Sequence, residues 1–294
     1  GSKSLAVGAS RATGSNSFAA AGSSNSTSYG AQSGNSIAMG KQAYVSSTSY
    51  HGIAIGENTS CRSERSIAIG NYASVGTSAN GSFAAMGSVS NICSNSVVIK
   101  GSAQGNSATA IGRNSIAAGT YATAFSNSRA GSTNAFAAAI ANNTSSYGAT
   151  SANSIAIGYQ AKANGSNALA FGGSQNLVTN SHAVALGGYD NHATGIAAVS
   201  IGGNQGNRAT GNASFCIGGY QSSNIASDDN SFAMGEGAKS AIKGKLAYAG
   251  GRFSSVGDAQ GGMYILRADT TDATATVLTS NNSAASTDNQ IIAA

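Results

Sequence analysis

Ser66-Ile67-Ala68-Ile69-Gly70 and Ser154-Ile155-Ala156-Ile157-Gly158 are the same five residues at two places in one chain. Close variants recur along most of its length. They include Ser4-Leu5-Ala6-Val7-Gly8, Ser36-Ile37-Ala38-Met39-Gly40, Gly52-Ile53-Ala54-Ile55-Gly56 and Thr109-Ala110-Ile111-Gly112. Further on come Leu169-Ala170-Phe171-Gly172, Val184-Ala185-Leu186-Gly187, Val199-Ser200-Ile201-Gly202, Phe215-Cys216-Ile217-Gly218 and Phe232-Ala233-Met234-Gly235. The closing glycines follow one another mostly at about 14–17 residues, too short for a helical repeat and right for one coil of a β-solenoid. A three-residue apolar phrase stopped by glycine reads as a short strand ending where the backbone needs positive φ or a close approach. The repeat glycines are therefore Gly40, Gly56, Gly70, Gly112, Gly158, Gly172, Gly187, Gly202, Gly218 and Gly235.

Side chains alternate along a strand, so Ile67 and Ile69 share one face and Ala68 takes the other. A strand apolar on both faces needs a layer on each side. We expect the larger face to fill the coil, giving a core of Ile37, Ile53, Ile55, Ile67, Ile69, Ile155, Ile157, Leu169, Leu186, Ile201 and Ile217. The alanine face is then expected to meet a second copy of the chain. A weaker second strand, apolar on one face, follows each phrase, as in Asn71-Tyr72-Ala73-Ser74-Val75-Gly76. Repeated Ser, Asn and Thr at equivalent sites can form ladders between coils. The fold class is all-β, a parallel β-roll or solenoid of short coils.

Composition agrees. Charged residues are 9%, with Gly 40 and Pro 0, against roughly 25% charged in an ordinary globular domain. Disorder would require high net charge and few β-branched residues, whereas Ile and Val return at fixed intervals. The net charge of +5 is carried by scattered Lys and Arg, without the clustered stripe that nucleic acid demands. No apolar run approaches the ~20 residues of a spanning helix. We therefore expect neither nucleic-acid binding nor membrane insertion.

The array grew in blocks. Residues 18–40 align without a gap on 136–158, pairing Tyr29-Gly30-Ala31 with Tyr147-Gly148-Ala149. The least regular stretch, 120–151, is expected to hold a longer excursion, with Ile140 standing where Gly22 stands in the other block.

Chemistry-bearing groups are sparse. His51, His182 and His192 lack zinc-ligand spacing and read as exposed turn residues. Cys61, Cys93 and Cys216 are too few and too widely spaced for a disulfide framework and read as small packed thiols. Gly187-Gly188-Tyr189-Asp190 suggests a calcium-binding turn, but the equivalent turns carry Ser174, Asn204 and Gln221 instead of Asp. A polysaccharide-cleaving enzyme would need paired carboxylates, and the only adjacent pair, Asp228-Asp229, points to opposite faces of a strand or sits in a turn. We expect no enzyme activity, no cofactor and no metal. Tyr29, Tyr147, Tyr159, Tyr189 and Tyr220, in turns or beside repeat glycines, are the candidate ligand contacts, since Tyr joins a large apolar area to a polar tip.

Asn153-Ser154-Ile155-Ala156-Ile157-Gly158 and Asn35-Ser36-Ile37-Ala38-Met39-Gly40 resemble the head repeat of the trimeric autotransporter adhesins, the YadA-like head. The resemblance runs over residues 4–251 and implies a homotrimeric, left-handed parallel β-roll. Coil lengths vary more than in that family, and the paired glycines of the second half imply altered turns. Gly257-Asp258-Ala259-Gln260, Tyr264-Ile265-Leu266-Arg267, Asp269-Thr270-Thr271-Asp272-Ala273 and Asn289-Gln290-Ile291-Ile292 resemble a module that follows such repeats in bacteriophage tail-fibre proteins. Residues 1–251 are thus read as the repeat domain, and 252–294 as the start of a β-rich tail-fibre module cut off at Ala294. These resemblances imply a fibre segment on a virion tail. Its partners would be other tail-fibre or baseplate proteins and a host cell-surface receptor, protein or glycan. The second reading is the head of a bacterial adhesin on a cell surface. A tail-spike depolymerase is the alternative of another class.

Overall fold

The computed structural model describes residues 1–21, 28–142, 144–220, 222–273 and 275–286. The Asn289–Ile292 part of the C-terminal resemblance and Gln221 lie outside them. Among the described residues every regular element is a β-strand. Contacts divide the chain into two units, Gly1–Asn153 and Ser154–Ala294, each a solenoid of parallel strands.

One coil of the first unit shows how the phrase folds. Ile53–Ile55 forms a strand, Ser60–Cys61 a second, and Ile67–Ile69 opens the next coil. Ile53, Ala54 and Ile55 pair in parallel register with Ile67, Ala68 and Ile69, while Ser60 and Cys61 pair with Ser74 and Val75. The Ile53 N–H donates to the Ser66 carbonyl at 3.0 Å, and the Ser60 N–H to the Ala73 carbonyl at 2.9 Å. Each coil thus places one strand in each of two sheets and satisfies its backbone on its neighbours.

The residues around the phrase have separable tasks. Two residues before the start of seven strands stands a left-handed asparagine: Asn16, Asn35, Asn95, Asn134, Asn153, Asn167 and Asn230, with φ of 53–57°. Asn tolerates that conformation better than other side chains. Where a serine follows, it is buried and can close the turn: Ser36 Oγ donates to the Ser33 carbonyl at 2.6 Å, and Ser17 Oγ to the Gly14 carbonyl at 2.7 Å. Asn134 and Asn167 are followed by Ala135 and Ala168. In later coils the hydroxyls also form a ladder. Ser66 Oγ accepts from the Ser82 N–H, and Ser82 Oγ from the Ser96 N–H, at 3.2 and 3.1 Å. All ten repeat glycines have positive φ, from 61° at Gly187 to 129° at Gly56. At Gly40 the requirement is double, because a Cβ would also sit 2.5 Å from the Gly56 carbonyl oxygen.

The two faces of the phrase are the reverse of the expectation. Ala54, Ala68, Ala156 and Ala170 are fully buried inside the coil, opposite Cys61, Val75, Ala163 and Val178. None of the residues assigned to the core is buried. Ile37, Ile53, Ile55, Ile67, Ile157, Leu169, Leu186, Ile201 and Ile217 are half-buried on the outer face, and Ile69 and Ile155 are 38% and 39% exposed. The reason is volume. Strands of three and two residues joined by tight turns enclose too narrow a space for isoleucine, and a packed interior tolerates little excess volume. The expected contact of the alanine face with another copy is therefore excluded.

The second unit uses longer strands and a different lining. Ile155–Tyr159, Leu169–Ser174, Val184–Leu186, Val199–Ile201, Phe215–Gly218, Phe232–Glu236 and Leu246–Gly250 pair in that order. Paired glycines, both left-handed as at Gly187 and Gly188 (φ 61° and 68°), turn the chain. The turns lead into Asn176, Asn191, Asn207 and Asn224, all fully buried. The parallel array ends at Gly250. Gly261–Met263 then pairs antiparallel with Leu246–Gly250, and Arg267 and Thr279 exchange two 3.0 Å backbone hydrogen bonds. Asp258 fastens the intervening turn by accepting from the N–H groups of Phe253, Ser254 and Ser255 at 2.7–2.9 Å. Those bonds, Ser255 foremost, pull its carboxyl down to about 2. In the irregular stretch, nine residues separate the strands Phe136–Ala138 and Gly148–Ala149, and Ile140 is fully buried.

Candidate functional surfaces

Three features rise above the repetitive background. The first is the outer face of the three-residue strands. In the first unit the register stacks Ile37, Ile53, Ile67, Phe83 and Val97 in one column. Met39, Ile55, Ile69, Ala85 and Ile99 stack in the other. In the second unit Ile155, Leu169, Val184, Val199, Phe215, Phe232 and Leu246 form the equivalent column. The Phe215 and Phe232 rings stack at 4.7 Å between centroids. Parallel pairing in register is what turns a repeated sequence phrase into an apolar stripe, interrupted in the first column at Thr109 and Thr123.

The second feature lies in the other sheet of the first unit. The strands Gly30–Ala31, Tyr44–Val45 and Ser60–Cys61 pair in register, so Tyr44 and Ser60, both half-buried, share a row with the buried Gly30 while Ala31, Val45 and Cys61 face the interior. Tyr44 stands between a residue without a side chain and one with a small side chain. The chain from Val45 to Ile53 is two residues longer than that from Cys61 to Ile67, and its Ser46, Ser47 and Thr48 rise beside the row. With Tyr29, Asn58 and Arg62 they bound an open groove of about 780 Å³.

The third is a charged cluster in the second unit. Asp190 Oδ2 accepts from an Arg208 guanidinium nitrogen at 2.7 Å, and its Oδ1 lies 2.8 Å from His192 Nε2. Arg208 also donates to the Asp190 carbonyl at 2.6 Å. Burial, then the neighbouring Arg208 charge, holds the His192 imidazole below its ordinary value against the pull of Asp190. Partial burial opposes ionisation of Asp190, but the Arg208 hydrogen bond and charge, with His192, outweigh it and leave the carboxyl below its usual range. His192 is thus a neutral strand residue tied to a carboxylate, a correction to its reading as an exposed turn. The turn-residue reading fits His51 and His182, which are exposed with φ of 60° and 62°. Asp190 thus pairs with both Arg208 and His192.

The five candidate tyrosines do not converge. Tyr29 lines the groove, as does Tyr44, which sequence reasoning did not single out. Tyr147 is half-buried beside Gly148–Ala149. Tyr159 and Tyr189 are exposed on either side of Ser174 in one cross-strand row, roughly two strand spacings apart, ~10 Å. Tyr220 is 67% exposed. Asp228 and Asp229 serve turns: Asp228 Oδ1 accepts from the Asp229 N–H at 2.7 Å and Asp229 Oδ1 from the Asn212 N–H at 2.9 Å. The three cysteines are free and buried, and burial raises the Cys216 thiol to about 12.

The family model described as YadA head domain repeat (2 copies) matches residues 47–73, 103–125 and 149–174. These three segments are similar to YadA head repeats, and the coils between them share their strand pattern. Comparison with curated proteins finds no match.

Proposed function

We propose that this chain is a segment of a homotrimeric, surface-displayed fibre that attaches to host cells without altering what it binds. The observation that carries the proposal is the outer apolar stripe. A thin interior of alanines contributes only about 0.8 kcal/mol per buried carbon, whereas fully burying one isoleucine contributes roughly 1.5–3 kcal/mol. Contiguous apolar patches beyond a few hundred Å² are rare on free surfaces. Strand after strand presents this stripe in the same direction, so identical copies can cover one another along a common axis. Sedimentation equilibrium is expected to give three times the 28.6 kDa chain mass. A folded, stable monomer at micromolar concentration would remove the proposal.

We read the setting as a bacteriophage tail fibre, with tail-fibre or baseplate proteins and a host receptor as partners. Support comes from residues 257–273 and their resemblance to a tail-fibre module. The second reading, the head of a bacterial autotransporter adhesin, is supported by the YadA repeat matches. Immunogold labelling separates the two: gold on phage tails supports the first, and gold on the bacterial surface in the absence of phage supports the second.

A further inference from the structure

We infer that the groove around Tyr44 is a binding site for an acidic saccharide. The inference rests on the attachment function proposed above and names the ligand that such a surface would take. The groove volume of about 780 Å³ falls within the ~300–1,000 Å³ of small-ligand sites. Its walls are hydroxyls and amides, Thr48, Asn58 and Ser60 among them, with the phenols of Tyr29 and Tyr44. Hydroxyls and carboxamides both donate and accept, which suits a polyol carrying both functions on every carbon. An aromatic face with a polar rim provides the apolar contact for the C–H side of a sugar ring.

Among the described residues no aliphatic side chain lines the groove, so a peptide would find no pocket there for an apolar anchor. That absence favours a saccharide over a protein segment. The acidic character follows from Arg62, the one charged residue of the lining among the described residues. It forms no ion pair among the described residues, and its planar fork matches a carboxylate in two parallel hydrogen bonds. The groove belongs to the sheet opposite the apolar stripe, so assembly through that stripe leaves it open to solvent.

The test is calorimetric titration of the full chain with a galacturonic acid tetrasaccharide and sialyllactose, each set against its neutral counterpart, galactotetraose and lactose. At least one acidic probe is expected to bind, and its neutral counterpart at least about tenfold more weakly. Arg62→Gln should lose about tenfold or more for the acidic probe and leave the neutral one unchanged. Tyr44→Ala should weaken both, and Ser60→Trp, which fills the groove from an outward strand position, should do the same if Tyr44→Ala fails to fold. The inference is overturned if no acidic probe binds at millimolar concentration, or if folded Arg62→Gln binds like the parent. Cell adsorption separates this result from the attachment function. Adsorption that survives both Arg62→Gln and Ser60→Trp removes the groove as the contact and leaves attachment standing. Acid-selective, Arg62-dependent saccharide binding without adsorption keeps the groove and removes attachment.

Discussion

The Asn207 backbone N–H donates to Asn191 Oδ1 at 3.0 Å, one coil stepping onto the next through a buried carboxamide. The same relation links Asn191 to Asn176 at 3.2 Å and Asn224 to Asn207 at 3.1 Å, and Ala238 closes the series on Asn224 at 2.8 Å. The other end of each amide is satisfied too: Asn191 Nδ2 donates to the Gly187 carbonyl at 2.6 Å, and Asn207 Nδ2 to Gly218 at 2.6 Å. The glycine pairs and the asparagines form one device. Left-handed glycines turn carbonyls inward, and a buried amide receives them.

Asn191→Ala should therefore cost about 1–3 kcal/mol, because it strands the Asn207 N–H in a dry interior and leaves the Gly187 carbonyl only its bond from Asn176 Nδ2 at 3.0 Å. Asn180→Ala, whose side chain bonds the Thr194 carbonyl at an exposed site, should stay within about 0.5 kcal/mol. Denaturant unfolding with equal shifts for the two would contradict the ladder.

Substitutions in the phrase should separate folding from assembly. Ala68→Leu overfills a fully buried position and should destabilise the coil by about 1–3 kcal/mol. Ile69→Asp leaves the interior untouched and should yield a folded monomer with its circular dichroism retained. If Ala68→Leu folds normally while Ile69→Asp unfolds the chain, the assignment of faces is wrong.

Acid should weaken the second unit in two stages. His192 is held below its ordinary value of 6.5 in the folded chain, so the unfolded state binds the proton first and stability falls as pH drops below about 6.5. Asp190 is likewise depressed from 3.8, so its contribution is present above that value and is lost as pH falls through the folded value. His192→Gln should remove the upper stage and Asp190→Asn the lower one. An unfolding free energy flat between pH 7 and 5 in the parent would contradict this reading.

Incubation with host polysaccharide should release no oligosaccharide. Asp228→Ala with Asp229→Ala should leave both adsorption and thermal midpoint unchanged, since these carboxylates only accept turn N–H groups. Release of soluble fragments that disappears in this double variant would establish a depolymerase.

Much of the coil was legible in the sequence because each residue of the phrase answers a local backbone demand. Gly70 ends a strand with φ of 103°, Asn153 takes the left-handed turn, and Ser36 closes a turn three residues back. The Asn ladder was legible only in part: a glycine pair followed four to six residues later by Asn recurs, but its meaning depends on stacking. What sequence could not decide was which side of Ile67-Ala68-Ile69 is inside. Alternation assigns two faces and leaves both apolar, and the choice falls to the width of the closed coil, which admits alanine and excludes isoleucine. The groove has the same origin. Gly30, Tyr44 and Ser60 lie 14 and 16 residues apart and become neighbours only when parallel register sets three coils side by side.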